Sequence, residues 1–250
     1  MTKIIAITGK GGTGKTTVST LLIKYLENKD GSLLAIDADP DANLPNALGV
    51  TVEKTVGEMR EDLLEQRDKI PPSVDKELLF ESKIYEVLLE KKNYDLLVMG
   101  RSEGSGCYCY VNNLLRGIMD RITKNYNFAI VDTAAGLEHF SRKIIHDVDI
   151  LFVVTDESRK GLQTAERIRD LVNELDLNLK KIYIIANKVN EYSLKIIKKY
   201  TEEMDMELVG AIPYDTKLVE FDLVGEPLIN LPDDSLAVME VENIAKTIGL

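Results

Sequence analysis

An α/β fold is predicted for this chain, a doubly wound and mostly parallel sheet flanked by helices, and three observations predict it. Short apolar runs alternate with amphipathic helical patterns along most of its 250 residues. A glycine-rich segment, Gly9 to Thr17, stands between the first apolar run and the first helical pattern. Acidic residues, Asp37 and Asp132, close the second and fourth runs. The runs do not alternate with polar residues, as expected of strands covered on both faces by helices.

The first strand is read from Lys3 to Thr8, where Ile4, Ile5, Ala6 and Ile7 follow one another. The first helix is read from Thr16 to Lys29, because Val18, Leu21, Leu22, Tyr25 and Leu26 fall on one helix face. Further strands are expected at Leu33 to Ile36, Leu96 to Met99, Phe128 to Val131, Ile150 to Val154, Ile182 to Ala186 and Leu208 to Ile212. Helical spacing marks Leu162 to Leu175, Leu194 to Met204 and Ala237 to Ile248. Strand and helix in alternation argue for βαβ units. The stretch from Val52 to Tyr94 differs, being highly charged and interrupted by Pro71 and Pro72. Two or three surface helices are expected there, at about 52–94, as an insertion into one domain spanning 1–250.

With 31 basic and 42 acidic residues, the net charge is 31 − 42 = −11. That balance disfavours nucleic acid and anionic membrane as general partners, so any anion must be held by local geometry. No run of 18 apolar residues occurs, and the N-terminus enters a strand without the regions of a signal peptide. A cytoplasmic protein is expected. The two cysteines, Cys107 and Cys109, cannot form a disulfide scaffold.

Gly9, Lys10, Gly11, Gly12, Thr13, Gly14, Lys15, Thr16 and Thr17 match the phosphate-binding loop of P-loop NTPases. Glycines let successive N–H groups turn toward phosphate oxygens. Lys15 would sit against the β- and γ-phosphates, and Thr16 would hold Mg²⁺ through its hydroxyl. The following helix aims its N-terminus at the same anion. ATP or GTP, or a diphosphate such as ADP, with Mg²⁺ is the ligand this pattern asks for.

Asp37, Asp39 and Asp41 follow the second strand. Three acids beside a phosphate loop are costly unless a cation joins them. Asp39 is assigned to orienting or deprotonating the attacking water, and Asp37 to the magnesium environment. Asp132 is read as the Walker B acid that binds a water on Mg²⁺. The small-residue loop after it, Thr133 to Gly136, is placed to approach the γ-phosphate. Asn187 and Lys188 end the sixth predicted strand, and Asn190 stands where a guanine-reading loop would want an aspartate. Adenine is therefore favoured, with Asn187 bonding its exocyclic amine and the turn at Pro213, Tyr214 and Asp215 offering main-chain groups.

An ordinary phosphate loop needs no second lysine, so Lys10 adds a cation whose purpose is not met within one subunit. The run Lys10 to Thr16, together with Asp37, Asp39 and Asp132, resembles the deviant Walker A family of MinD, ParA and nitrogenase iron protein. The resemblance implies an ATP-bound face-to-face homodimer in which Lys10 reaches the partner's nucleotide, in the manner of an arginine finger. Asn43 departs from the iron protein, which carries an aspartate there.

Cys107 and Cys109 flank Tyr108 in the run Gly100 to Tyr110. In extended chain, residues two apart project to one side about 6.5 Å from each other, so two thiolates could share one tetrahedral metal. Two soft ligands make half a site, and a second copy across a twofold axis would complete four thiolates for Zn²⁺, Ni²⁺ or an iron-sulfur cluster. This run together with the deviant loop resembles the CooC-type nickel ATPases. That resemblance implies a nickel client, carbon monoxide dehydrogenase or acetyl-CoA synthase. His139 and His146, seven apart, are read as ordinary helix residues, not as ligands. Two other roles are weighed: a MinD- or ParA-like positioning ATPase, and an iron-sulfur electron-transfer ATPase. The former would need a basic amphipathic C-terminal helix or a basic surface, whereas Ser235 to Leu250 holds only Lys246.

Overall fold

In the computed structural model, residues 2–65, 71, 75–101, 117–135, 147–174 and 178–250 are described. The first apolar run becomes β1 (Lys3–Gly9), and the glycine loop leads into α1 (Lys15–Leu26). Next come β2 (Leu33–Ala38), a single turn α2 (Leu44–Ala47), α3 (Val56–Glu65) and α4 (Lys76–Val87). A two-residue strand β3 (Leu89–Glu90) precedes β4 (Asp95–Val98). Helix α5, over 117–123, precedes β5 (Phe128–Thr133). The rest runs β6 (Asp147–Thr155), α6 (Arg159–Glu174), β7 (Asn178–Val189), α7 (Glu191–Glu203), β8 (Glu207–Pro213), α8 (Thr216–Val224) and α9 (Leu236–Thr247).

The eight strands form one sheet in the order β3-β4-β2-β5-β1-β6-β7-β8. Every described pairing is parallel except β3 with β4, so the expected doubly wound parallel sheet is present with one antiparallel edge. The strand order reverses around β1, whose neighbours are β5 and β6. Ligands in such sheets bind beyond the carboxyl ends at that point, where the glycine loop emerges.

Burial explains why the apolar runs are unbroken. On one face Ile5, Ile7, Ala35, Ile130, Phe152 and Ile185 pack beneath α1 and α9. On the other, Ala6, Ile36, Val131, Val153 and Ile184 pack beneath α3, α4, α5 and α6. Adjacent residues of one strand thus enter opposite core layers, and both layers are mainly apolar.

The departures from expectation are local. The sequence pattern did not reveal β3, α5 or α8, and β6 begins at Asp147 instead of Ile150. Helices α3 and α4 fall in the charged stretch, although Val56, Met59, Leu63, Phe80 and Ile84 are buried, so it is not wholly a surface feature. Cys107, Cys109, His139, His146, Gly136 and Leu175 lie outside the described residues. Among the described residues no helix is long and apolar enough to cross a membrane.

Candidate nucleotide-binding site

The site begins with a helix that no side chain caps. Gly14 stands at the N-cap of α1 in the left-handed region, φ 94°, and the first turn of α1 offers its N–H groups outward. Gly9 has φ 146°, and a Cβ on it would lie 2.2 Å from the Val154 carbonyl oxygen of β6. A side chain there would push β1 from β6 and move the loop.

Register then places the acids. Asp37 on β2 and Asp132 on β5 are direct partners across parallel strands, and Ile7 of β1 partners Asp132 from the other side. Both carboxyls are almost fully buried. The Thr16 hydroxyl donates to Asp132 Oδ2 at 2.6 Å, and the Ser19 hydroxyl to Oδ1 at 3.0 Å. Asp37 accepts the N–H of Asp39 at 3.0 Å and that of Leu44 at 2.9 Å, which fixes the turn carrying Asp39. Burial first, and then the charge of Asp132, push Asp37 up to about 7. Burial pushes Asp132 up to about 6, although the Thr16 and Ser19 hydroxyls and the Lys15 ammonium all favour its charged form. Two adjoining buried carboxyls repel each other when both are charged, and a cation beside them would relieve that repulsion.

A cleft of about 860 Å³ opens above these groups. Its floor is Gly11, Gly12, Gly14, Lys15, Thr16 and Thr17, with Asp39 and Asp41 on one wall and Ala134 and Ala135 beside them. Gly9, Lys10, Thr13, Asp37 and Asp132 sit behind or beside the floor and do not line it. The oxygen donors suit a hard cation such as Mg²⁺. Among the described residues no three His, Cys, Asp or Glu side chains converge into a ready metal cage, so Mg²⁺ would also need phosphate and water oxygens.

Two of the predicted site positions meet partners within the chain. Lys10 has a partner within its own chain, since its Nζ lies 3.7 Å from Asp156 Oδ2 just past β6. The close approach of Gly9 to Val154 brings the two residues together, and the pair is partly exposed, hence weak. Asn187, Lys188 and Pro213 do not line the cleft. The Asn187 amide bonds within the protein, donating to the Thr13 carbonyl at 2.8 Å and accepting the Lys188 N–H at 2.9 Å. Asn190, whose amide spoke against guanine, caps α7 by accepting the N–H groups of Tyr192 and Ser193. On that side the cleft is closed by Asp222, Gly225, Glu226 and Leu228. Sequence reading missed these four. The one signal was Gly225, a helix C-cap at φ 73°, which turns the chain back over the cleft.

Fold and site together define a P-loop nucleotide-binding protein. The sequence matches the CobQ/CobB/MinD/ParA nucleotide binding domain over residues 4–228, and the chain belongs to that family. It is 53% identical to an uncharacterised ATP-binding protein of Methanocaldococcus jannaschii over 247 residues, covering 98% of each chain. It is 33% identical to the carbon monoxide dehydrogenase accessory protein CooC of Rhodospirillum rubrum, covering 88% of this chain and 87% of that one. Among solved structures, the MinD cell division protein of Aquifex aeolicus superposes with a TM-score of 0.71 at 22% identity, covering 98% and 96% of the two chains. MinD of Pyrococcus horikoshii, solved with Mg-ADP, superposes with a TM-score of 0.71 at 21% identity, covering 100% and 96%. These two likenesses are to the fold.

Proposed function

We propose that this protein is an ATP-hydrolysing metallochaperone that binds Ni²⁺, or Zn²⁺, through Cys107 and Cys109 at an ATP-dependent dimer interface and assists nickel insertion into a client enzyme. The observation that carries this is the Cys-Tyr-Cys run in a chain 33% identical, nearly end to end, to a carbon monoxide dehydrogenase accessory protein. Carbon monoxide dehydrogenase or acetyl-CoA synthase is accordingly the client class.

The described geometry supports the nucleotide half. Gly11, Gly12 and Gly14 line the cleft with Lys15 to receive a triphosphate, and Thr16 and Asp132 stand together for its Mg²⁺. Asp39, on the cleft wall, orients or deprotonates the attacking water. Lys10 leaves Asp156 and meets the partner's phosphate in the closed dimer. The exposed ion pair is cheap to break, at about 0–1 kcal/mol.

Support for the metal half comes from where the cysteine segment starts. After β4 the chain passes Arg101, whose guanidinium donates to Asp41 Oδ1 at 2.9 Å on the cleft rim. Cys107 follows six residues later, within about 20 Å of that rim along the chain. A dimer that closes over the nucleotide therefore has both cysteine segments starting near its interface. Helix α9 does not itself offer a membrane-binding face, since Ala237, Val241, Ile244 and Ala245 are buried in the core.

Replacing Cys107 and Cys109 together by serine is expected to abolish stoichiometric Ni²⁺ and Zn²⁺ binding, measured by elemental analysis after gel filtration, while ATP binding persists. Unchanged metal content would reject the assignment. ATP-dependent co-sedimentation with vesicles or DNA would favour the positioning role, and a brown anaerobic protein the iron-sulfur one.

A further inference from the structure

Behind the phosphate loop, on the side away from the cleft, two side chains from the end of β7 hold two consecutive carbonyls. Asn187 is 3% exposed, and its Nδ2 donates to the Thr13 carbonyl at 2.8 Å. Lys188 adopts φ 59°, which turns the chain just past Asn187, and its Nζ donates to the Gly12 carbonyl at 3.4 Å. Gly14 lies directly against this bracket, because a Cβ on it would stand 2.2 Å from Asn187 Nδ2.

We propose that Asn187 and Lys188 are positioning residues that set the peptide orientation of the phosphate loop and so act on the triphosphate through the loop. The Thr13 carbonyl and the Gly14 N–H belong to one planar trans peptide and point in opposite directions. Holding that carbonyl on Asn187 turns the Gly14 N–H toward the cleft, which Gly14 lines. Released, the peptide could turn its carbonyl forward and set a negative dipole end against phosphate oxygens. These bonds use one of the two N–H donors of the amide and one of the two lone pairs of its oxygen. The inference rests on the nucleotide-binding part of the proposed function and is independent of the metal.

The test uses a ligand without a base. Binding of Mg-ATP and of Mg-tripolyphosphate is measured by calorimetry for the wild type and Asn187→Ala, with melting temperature as the control for folding. Both affinities are expected to fall, that for tripolyphosphate by about tenfold, the loss of one buried hydrogen bond. Weaker ATP binding with unchanged tripolyphosphate binding would overturn the proposal and return Asn187 to the base. Should Asn187→Ala unfold, Lys188→Ala tests the bracket from its exposed half. An equal loss of about threefold on both ligands supports it, and unchanged tripolyphosphate binding overturns it. A wild type that binds neither ligand would reject nucleotide binding itself, an outcome distinct from either result on the variants.

Discussion

Asp132 concentrates the conflict between stability and ligand binding at a single side chain. It is buried, faces Asp37 in register, and is pushed up to about 6, with Asp37 up to about 7. An unfolded aspartate releases its proton near pH 4, so between about pH 4 and 7 the folded protein holds protons that the unfolded chain has lost. Stability of the nucleotide-free protein therefore falls as pH rises through that window. Asp132→Asn is expected to flatten that fall and to raise the melting temperature at pH 8 by about 2–4 °C, corresponding to about 1 kcal/mol. Hydrolysis is expected to drop at least tenfold. Differential scanning fluorimetry from pH 5 to 8 checks it, and identical slopes for the two proteins would contradict the account. At this scale the sequence was informative where spacing dictates chemistry, as in Lys15, Thr16 and Asp132. It did not reveal the partners of Asn187 and Lys10, because side-chain direction at the end of a strand depends on neighbours from distant parts of the chain. The Asp156 that meets Lys10 is 146 residues away.

The elements that sequence revealed are those buried on two faces. Strands β1, β2, β5, β6 and β7 read as apolar runs because the sheet is covered on both sides. Strand β3 has only two residues, and α8 has no fully buried residue, with Leu223 and Val224 exposed at 80% and 78%. Neither leaves a periodic signal. What holds α8 is the cap Asp215, which accepts the N–H of Lys217 at 2.9 Å, the Ser235 hydroxyl at 2.6 Å and the N–H of Ala237 at 3.0 Å. One carboxylate therefore ties the starts of α8 and α9 together. Burial would raise its pKa, but the Ser235 hydroxyl and the backbone donors outweigh it and hold it below the usual range. Its stabilisation is complete above about pH 4 and lost as pH falls through the depressed value. Asp215→Ala is expected to cost about 2–3 kcal/mol, two caps and a stranded hydroxyl, read as a lower urea midpoint at pH 7. A midpoint within error of wild type would refute the capping role.

At the scale of the molecule, the sheet reverses its order around β1 and so gathers the glycine loop and the acids at one edge. The chain leaves β4 at that same edge as far as Arg101, which is bonded to Asp41. That gathering was legible in motif order before the fold was known, because each motif follows an apolar run. The closing wall from Asp222 to Leu228 was not, since it depends on how α8 turns back at Gly225. If nucleotide and metal bind at one dimer interface, each must favour the other's binding through the shared assembly. Light scattering after gel filtration, with elemental analysis of the peak, measures this in the full chain with Ni²⁺ and a non-hydrolysable ATP analogue. The account expects a dimer carrying one metal ion per two chains, as four thiolates require, and its loss in Lys10→Ala. A wild-type protein that stays monomeric with both ligands at saturation, or that binds one metal per chain whether or not nucleotide is present, would contradict it.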